Sequence, residues 1–466
     1  MRRERDSMGE LEVPARAYYG ANTRRAELNF PISDLRFSRS FIRAIAQIKQ
    51  AAAVVNKDLG ELDSGLADAI VAAAQKVVDG VYDDQFVLDI FQTGSGTSTN
   101  MNANEVISNV AIEALGGQLG SRKPVHPNDH VNKGQSSNDV IPSAIHLAAA
   151  DAIRGRLLPA MKGLEDALRA KSKEFWPVVK TGRTHLQDAT PIRLGQEFLG
   201  YAGQIELGRK RVEHALAELR VLALGGTAVG TGVGMHPEFA RRVIAKLNEM
   251  TGLGLSETGN HFQAQSTIDA VVEASGSLKT VAVSLMKIAN DIRWLGSGPR
   301  AGLGEITVPE VQPGSSIMPG KVNPVIAESV TMVCAQVIGN DVTVTIAGQS
   351  GNFELNVMMP VAAHNLLQSV DLLATSCVNF RKQCIEGLRS TEQGPAMVEK
   401  GLAICTALAP IIGYDAAAAI AKKAAQTGET VKQVALRETK LSAKELDAIL
   451  DPAKMTEPGA KIQAGG

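Results

Sequence analysis

Apolar residues recur at steps of three and four through most of this chain, and that spacing predicts helices. Phe41, Ile45, Ile48, Ala52 and Val55 fall on one stripe, and Gly60 follows as a stop signal. Ser64 to Val78, bounded by Asp63 and Gly80, reads as a second helix. The clearest stripe runs Leu278, Val281, Leu285, Ile288, Ile292 and Leu295. Alanine-rich helical stretches recur near 143–172, 194–222, 264–295 and 325–349, and another covers roughly 360–386. Several exceed the ~11 to 12 residues of an ordinary helix. Helices that long, with wide apolar faces, cannot be covered by one small core. They predict a bundle that packs against copies of itself.

Between these stretches the pattern breaks. Residues 92–104, 120–139, 180–191, 225–236 and 296–324 are rich in Gly, Ser, Thr, Asn, Asp and Pro, and read as loops. The last is the longest, and a loop of that length in a compact domain is usually functional or mobile. Short polar segments within 1–38 predict some extended structure. After about 392, Pro395, Pro410 and Gly413 punctuate a run of short helices, and Ser442 to Glu445 has the form of a capping box. No internal repeat is visible. The fold class is mainly α, in three regions: an N-terminal region 1–134, a central helical bundle 135–392 and a small helical region 393–466.

Composition narrows the field. Of 466 residues, 44% are hydrophobic and 21% charged, which is ordinary for a globular chain. A net charge of -1 and an aromatic content of 4% give no basis for binding nucleic acid or an anionic membrane. No uninterrupted apolar run approaches the roughly 18 to 20 residues of a membrane span. The charged start Met1-Arg-Arg-Glu-Arg-Asp6 lacks the apolar stretch of a signal peptide, so the cytoplasm is expected. Cys334, Cys377, Cys384 and Cys405 show no Cys-x-x-Cys spacing and read as buried thiols.

The polar segments hold the candidate chemistry. Gly314-Ser-Ser-Ile-Met-Pro-Gly-Lys321 superficially resembles a phosphate-binding loop, but that motif has four residues between its glycines and Ser or Thr after Lys. Here five intervene and Val322 follows, which argues against a nucleotide. What remains is a flexible turn with two hydroxyls and one ammonium, Asn323 just beyond, able to gather N–H groups around an anion. An idle flexible loop has the same composition. His185 sits beside Thr184 in polar surroundings, where proton transfer and a structural role are equally open. Thr93-Gly-Ser-Gly-Thr97 and Gln135-Ser-Ser-Asn-Asp139 each precede an apparent helix. Helix capping alone explains either, yet a helix start flanked by hydroxyls is also a ready carboxylate site. His126-Pro-Asn-Asp129 with His130 reads as a polar turn rather than a metal site. No Gly-x-Ser-x-Gly elbow surrounds these serines, which disfavours a serine hydrolase.

Taken together and in order, these segments resemble the fumarase/aspartase superfamily, most closely its class II fumarase branch. The resemblance is carried by Gln92-Thr-Gly-Ser-Gly-Thr97, Asn100-Met-Asn102 with Asn104-Glu105, His126 to Asp129, Gln135 to Asp139, Thr181-Gly-Arg-Thr-His-Leu-Gln-Asp188 and Gly314 to Pro324, and spans about Asp6 to Met455. His185 stands where aspartases typically carry glutamine, and Gly320 where they have alanine.

The resemblance implies a fumarase/aspartase-like fold, in which a central long-helix bundle forms the core of a homotetramer and smaller N- and C-terminal domains flank it. It implies active sites shared by three subunits, a small dicarboxylate substrate (fumarate or L-malate), and no metal or other cofactor. It makes Ser315 the base for the C3 proton, with its alkoxide stabilised by Lys321 and loop N–H groups. Lys321 and Asn323 hold the carboxylate that gains charge. Ser95, Gly96, Thr97, Ser136, Ser137, Asn138, Thr184, Ser316 and Val322 complete the substrate site. His185, oriented by Glu328, acts on the departing hydroxyl through a water. Gly296, Gly298, Gly302 and Gly304 let the loop close. A secondary dicarboxylate site is implied at Lys123, His126, Pro127, Asn128 and Asp129, with Lys123 where some relatives place arginine and Arg122 adjacent. An aspartate ammonia-lyase and a non-catalytic member of the superfamily are the alternatives.

Overall fold

The structure, a computed structural model, describes residues 1–458. A hairpin of β1 (Arg2–Asp6) and β2 (Gly9–Val13) supplies the extended structure expected near the N-terminus. Helices α1 (Ala21–Asn29), α2 (Arg39–Asp58), α3 (Ser64–Val78), α4 (Thr97–Ala114), α5 (Ser137–Ala152) and α6 (Leu158–Glu174) follow. A second hairpin, β3 (Val179–Thr184) and β4 (Gln187–Arg193), precedes α7 (Leu194–Leu219), α8 (Phe239–Thr251), α9 (His261–Ser266), α10 (Asp269–Leu295), α11 (Val325–Gly348) and α12 (Met359–Gln383). Short helices α13 (Gln393–Val398), α14 (Ala409–Ile412), α15 (Tyr414–Thr427), α16 (Val431–Glu438) and α17 (Ala443–Ile449) end the described chain. Every sheet among the described residues is a two-stranded pair, so helices build the core and the fold is mainly α.

Contacts divide the chain into two compact units. The first comprises Met1–Pro159, Gly208–Ala282 and Val333–Thr375; the second comprises Ala160–Leu207, Val283–Met332 and Ser376–Gly466.

In the first unit α2 packs against α3, α5 and α8. Its predicted stripe is fully used: Phe41, Ile45, Ile48 and Ala52 are 0% exposed. Burying each large member is worth about 1.5–3 kcal/mol. Gly60 stops the helix with a φ of +72° that a side chain would resist. The Asp63 carboxylate then caps α3, accepting from the N–H groups of Gly65 at 2.9 Å and Leu66 at 3.1 Å.

The periodic stripe of α10 is buried from Leu278 to Leu295, over a helix about 40 Å long. The long helices also keep apolar residues outside: Leu199 and Leu207 on α7, Val283 and Trp294 on α10, and Met332, Val342 and Ile346 on α11 are exposed. By length and composition α11 is apolar enough to cross a membrane. Its polar residues are engaged in protein packing, however. Asp341 accepts from Ser275 Oγ at 2.8 Å and Lys279 Nζ at 2.6 Å, and Asn340 donates to Gln368 Oε1 at 2.9 Å.

In the second unit a small core of Ile404, Leu408, Ile420, Val434 and Leu446 holds the short C-terminal helices together. The capping box predicted at Ser442 and Glu445 is present, and Thr430 with Gln433 forms another.

Three expectations change. The stretch 92–104 is not all loop, because α4 begins at Thr97. The stretch 120–139 contains a π-helical turn, Pro127–Val131, and the start of α5. The stretch 180–191 is largely the β3–β4 hairpin. In each case polar side chains find tertiary or capping partners that a hydrophobic period does not register. Among the cysteines, Cys334, Cys377 and Cys384 are buried, but Cys405 is only half-buried. None of the four forms a disulfide.

Candidate active site

Two hydroxyl-bearing helix starts lie in the first unit. At the start of α4, Ser95 Oγ and Thr97 Oγ1 are 2.8 Å apart, and the Thr97 N–H donates to Ser95 Oγ at 3.4 Å. Gly96 makes this turn possible. Its φ is +73°, and a Cβ there would meet the Ile141 side chain of α5 at 2.9 Å. The missing side chain therefore lets the first turn of α4 approach α5.

At the start of α5, Ser136 is the N-cap, accepting from the Asn138 N–H at 3.2 Å, while the Asp139 carboxylate accepts from the Ser136 N–H at 2.9 Å. The capping reading of this segment is thus correct for Ser136 and Asp139. The other Asp139 oxygen accepts from the N–H groups of Gly225 at 2.9 Å and Thr227 at 3.1 Å. Burial raises the Asp139 carboxyl to about 6 against those hydrogen bonds. Ser137 is left over from the cap. Its Oγ accepts from Asn100 Nδ2 at 3.0 Å. Asn138 donates through Nδ2 to the Ala228 carbonyl at 2.8 Å.

The second unit carries the remaining candidates for the main site. Ser315 Oγ accepts from two loop N–H groups, Met318 at 3.0 Å and Ile317 at 3.3 Å. The loop folds back tightly on itself. A Cβ on Gly314 would lie 1.8 Å from the Lys321 carbonyl oxygen, and Asn323 donates through Nδ2 to the Gly314 carbonyl. The limb bearing Lys321 is thereby pressed against the limb bearing Ser315. Ser315, Val322 and Asn323 are half-buried, and Ser316 and Lys321 are exposed. Glu328 lies in the first turn of α11.

His185 occupies the tip of the β3–β4 hairpin. Thr184 pairs with Gln187, so His185 and Leu186 form a two-residue connection, with φ of +55° and +59°. Positive φ at both positions is the signature of a type I′ turn, normally made by Asn-Gly or Gly-Gly. Here neither residue is glycine, and each bears strain of about 1–2 kcal/mol.

A buried ion cluster anchors the hairpin. Lys180, 0% exposed, donates to Glu197 Oε1 at 2.8 Å and pairs with Glu305 Oε2 at 3.0 Å. Arg183 donates to Glu305 Oε1 at 2.7 Å. Burial pushes the Glu197 carboxyl up and Lys180 opposes it. Glu305 belongs to the 296–324 segment, so this cluster ties the root of the long loop to the strand carrying Thr184. No hydrogen bond or ion pair joins His185 to Glu328 within one chain among the described residues.

At the expected secondary site, His126 Nδ1 accepts from the N–H groups of Asn128 at 3.2 Å and Asp129 at 3.1 Å. Burial lowers the His126 imidazole, Asp129 raises it, and Arg122 and His130 lower it further. Arg122 is thus electrostatically coupled to this turn, while Lys123 is exposed.

One group was missed in the sequence. Lys49, 0% exposed, lies within the apolar stripe of α2 and donates to Asn132 Oδ1 at 2.8 Å and Gln135 Oε1 at 2.9 Å. Its signal was available: position 49 falls four residues after Ile45 and three before Ala52, so a charge sits on the buried face.

Known proteins supply an independent comparison. The sequence model of the lyase family matches residues 9–339, and that of the fumarase C C-terminus matches residues 404–457. The chain is 53% identical over 461 residues to a class II fumarate hydratase of Methylorubrum extorquens, covering 99% of this chain and 98% of that one. It is 52% identical to a mitochondrial fumarate hydratase of Rhizopus oryzae, covering 97% of this chain and 92% of the relative. The crystal structure of a recombinant class II fumarase from Schistosoma mansoni superposes with a TM-score of 0.96 at 40% identity, covering 98% of this chain and 99% of that chain. Near-complete coverage in sequence and structure, together with the site segments in their expected order, leads to one conclusion: this chain belongs to the class II fumarate hydratase family.

Proposed function

We propose that this protein catalyses the reversible hydration of fumarate to L-malate, with Ser315 as the base and His185, through a water, as the acid. The observation that carries this reading is the seat of Ser315. A serine hydroxyl is far too weak an acid to ionise unaided at neutral pH. Two N–H groups aimed at Ser315 Oγ favour its alkoxide, and the neighbouring Lys321 limb adds positive charge. In the dehydration direction Ser315 takes the C3 proton of malate. The adjacent carboxylate gains negative charge, which Lys321 and Asn323 stabilise. The C2 hydroxyl departs as water with a proton delivered by way of His185, and hydration runs the same steps in reverse. Ser95, Thr97, Ser137, Asn138 and Thr184 supply hydroxyl and amide groups for the remaining oxygens. Glycines 296, 298, 302 and 304 allow the loop to close and exclude surplus water.

The same reading includes a homotetramer with each site shared by three subunits, a cytoplasmic location, no metal, and a weak secondary dicarboxylate site at His126 to Asp129. The exposed apolar residues of α7, α10 and α11 support self-association. The three-region division at 134 and 392 belongs to this proposal, supported for the last region by its own small core.

Ser315→Ala tests the reading. Turnover of L-malate, followed by fumarate absorbance in the presence of a chelator, should fall by at least about a thousandfold with circular dichroism unchanged. Near-normal turnover would remove Ser315 as the base. Turnover of L-aspartate by the parent protein in place of malate would replace the hydratase reading with an ammonia-lyase one.

A further inference from the structure

Resting on the proposed dicarboxylate site, we infer that Lys49 is a positioning residue that sets the donor–acceptor sense of a buried hydrogen-bond relay ending at Ser137, so that the Ser137 hydroxyl faces substrate as a donor.

The relay starts from a group with one sense only. Lys49 Nζ has two acceptors, Asn132 Oδ1 and Gln135 Oε1, at 2.8 and 2.9 Å. The ammonium has three N–H bonds and no lone pair, so both amide oxygens must face it. Burial brings the Lys49 ammonium down to about 7, while Asp139 opposes the shift. The amide nitrogens are held from the other side: Asn132 Nδ2 donates to the Gln135 carbonyl at 3.1 Å, and Gln135 Nε2 donates to the Val131 carbonyl at 3.1 Å.

With its oxygen fixed, Asn132 can only accept from the next layer. Asn100 Nδ2 donates to it at 3.2 Å and Asn104 Nδ2 at 3.1 Å. The same Asn100 Nδ2 donates to Ser137 Oγ at 3.0 Å. Asn100 and Asn104 are 1% and 0% exposed, and the Oδ1 atom of each has no hydrogen-bond partner. Flipping either amide would turn its oxygen toward the Asn132 oxygen. The network therefore tolerates two orphaned acceptors rather than reverse its sense. At the far end, Ser137 Oγ has spent a lone pair on Asn100, and its proton is free for an acceptor elsewhere. A substrate carboxylate is acceptor-only, which makes it the matching partner. Asn100 lies one turn into α4 from Thr97, so the relay braces both helix starts at once.

A buried lysine with no carboxylate at hydrogen-bond distance is an expensive way to hold helices together, since a methionine would fill the same space. The relay gives the ammonium a use that packing does not need.

The test is a cycle of Lys49→Met, Ser137→Ala and the double variant, read by malate kinetics and by calorimetric binding of succinate as an unreactive dicarboxylate. Each single change should raise KM and the succinate Kd about tenfold, with kcat altered by less than about threefold. The double variant should lose no more than either single one, because Lys49 acts through Ser137. Multiplicative losses, or unchanged KM and Kd in folded Lys49→Met, would overturn the inference. A loss of kcat alone, in proportion to unfolded protein, would make Lys49 merely structural and overturn it equally. Should Lys49→Met not fold, Lys49→Gln takes its place, with a smaller rise of about threefold expected because its amide can still donate. Succinate binding stands apart from turnover, so failure of the hydratase reading and failure of the relay give different results.

Discussion

His185 is placed by a turn that its own sequence does not favour. Neither His185 nor Leu186 is glycine or asparagine, yet both adopt positive φ, so some of the energy of the hairpin is spent on aiming the imidazole. Relieving the strain at Leu186, whose side chain is exposed, should stabilise the protein without moving His185. Leu186→Gly is expected to raise the unfolding free energy in urea by about 1 kcal/mol, with KM and kcat within about threefold of the parent. A drop in stability would mean that Leu186 makes contacts worth more than the strain. At this scale the sequence was informative about chemistry and silent about geometry. The Ser315 loop and the His185 segment were legible as motifs, because few sequences combine those residues in that order. The I′ turn was not, because no Asn-Gly pair marks it. Lys49 was overlooked because the stripe around it was read only for its apolar members.

The long helices α2 and α10 were visible from hydrophobic period alone, since their stripes face continuous cores. The first turns of α4 were not. Asn100, Asn102, Asn104 and Glu105 are buried but polar, and each bonds to distant chain: Asn100 and Asn104 donate to Asn132 Oδ1, Asn102 donates to the Gln85 carbonyl at 3.0 Å, and Glu105 accepts from the N–H groups of Gly20 at 2.9 Å and Thr23 at 3.1 Å. A helix buried through its amides has no hydrophobic signature. The neighbouring α5 bears on stability in another way. His146 is half-buried, with Nδ1 donating to the Val221 carbonyl at 2.7 Å, and desolvation pulls its imidazole below the ordinary histidine value. The folded chain takes up a proton on this ring only below the pH near 6.5 at which the unfolded chain does. Stability present above that pH is therefore lost as pH falls through it, levelling off below the depressed folded value. Thermal unfolding between about pH 7.5 and 5.5 should show the parent losing more stability than His146→Gln. Parallel curves for the two proteins would exclude His146 as the cause.

The whole molecule was legible as a long-helix protein, because its apolar stripes run well beyond an ordinary helix; the self-association proposed above rests on the apolar residues those helices leave exposed. How copies would share the sites in the proposed tetramer was not legible, since no periodicity reports which chain a loop faces. Site sharing makes a direct prediction. Ser315→Ala and His185→Asn should each be inactive alone. When the two are unfolded together and reassembled as a mixture, sites drawing Ser315 and His185 from different chains recover, to about a quarter of parent activity for random mixing. If both residues came from one chain, the mixture would stay inactive.

The outward apolar residues of α7, α10 and α11 also bear on how such a protein comes into being. If the proposed tetramer forms, a chain newly released from the ribosome displays Leu207, Trp294, Met332 and Ile346 before it has met another copy. For that interval the surface cannot tell its proper mate from any other sticky chain nearby. Synthesis is thus a race between pairing and clumping, in which crowding by unrelated nascent chains hinders and the closeness of sister chains on one messenger helps. The helix faces proposed to join the copies are the ones a lone chain leaves exposed.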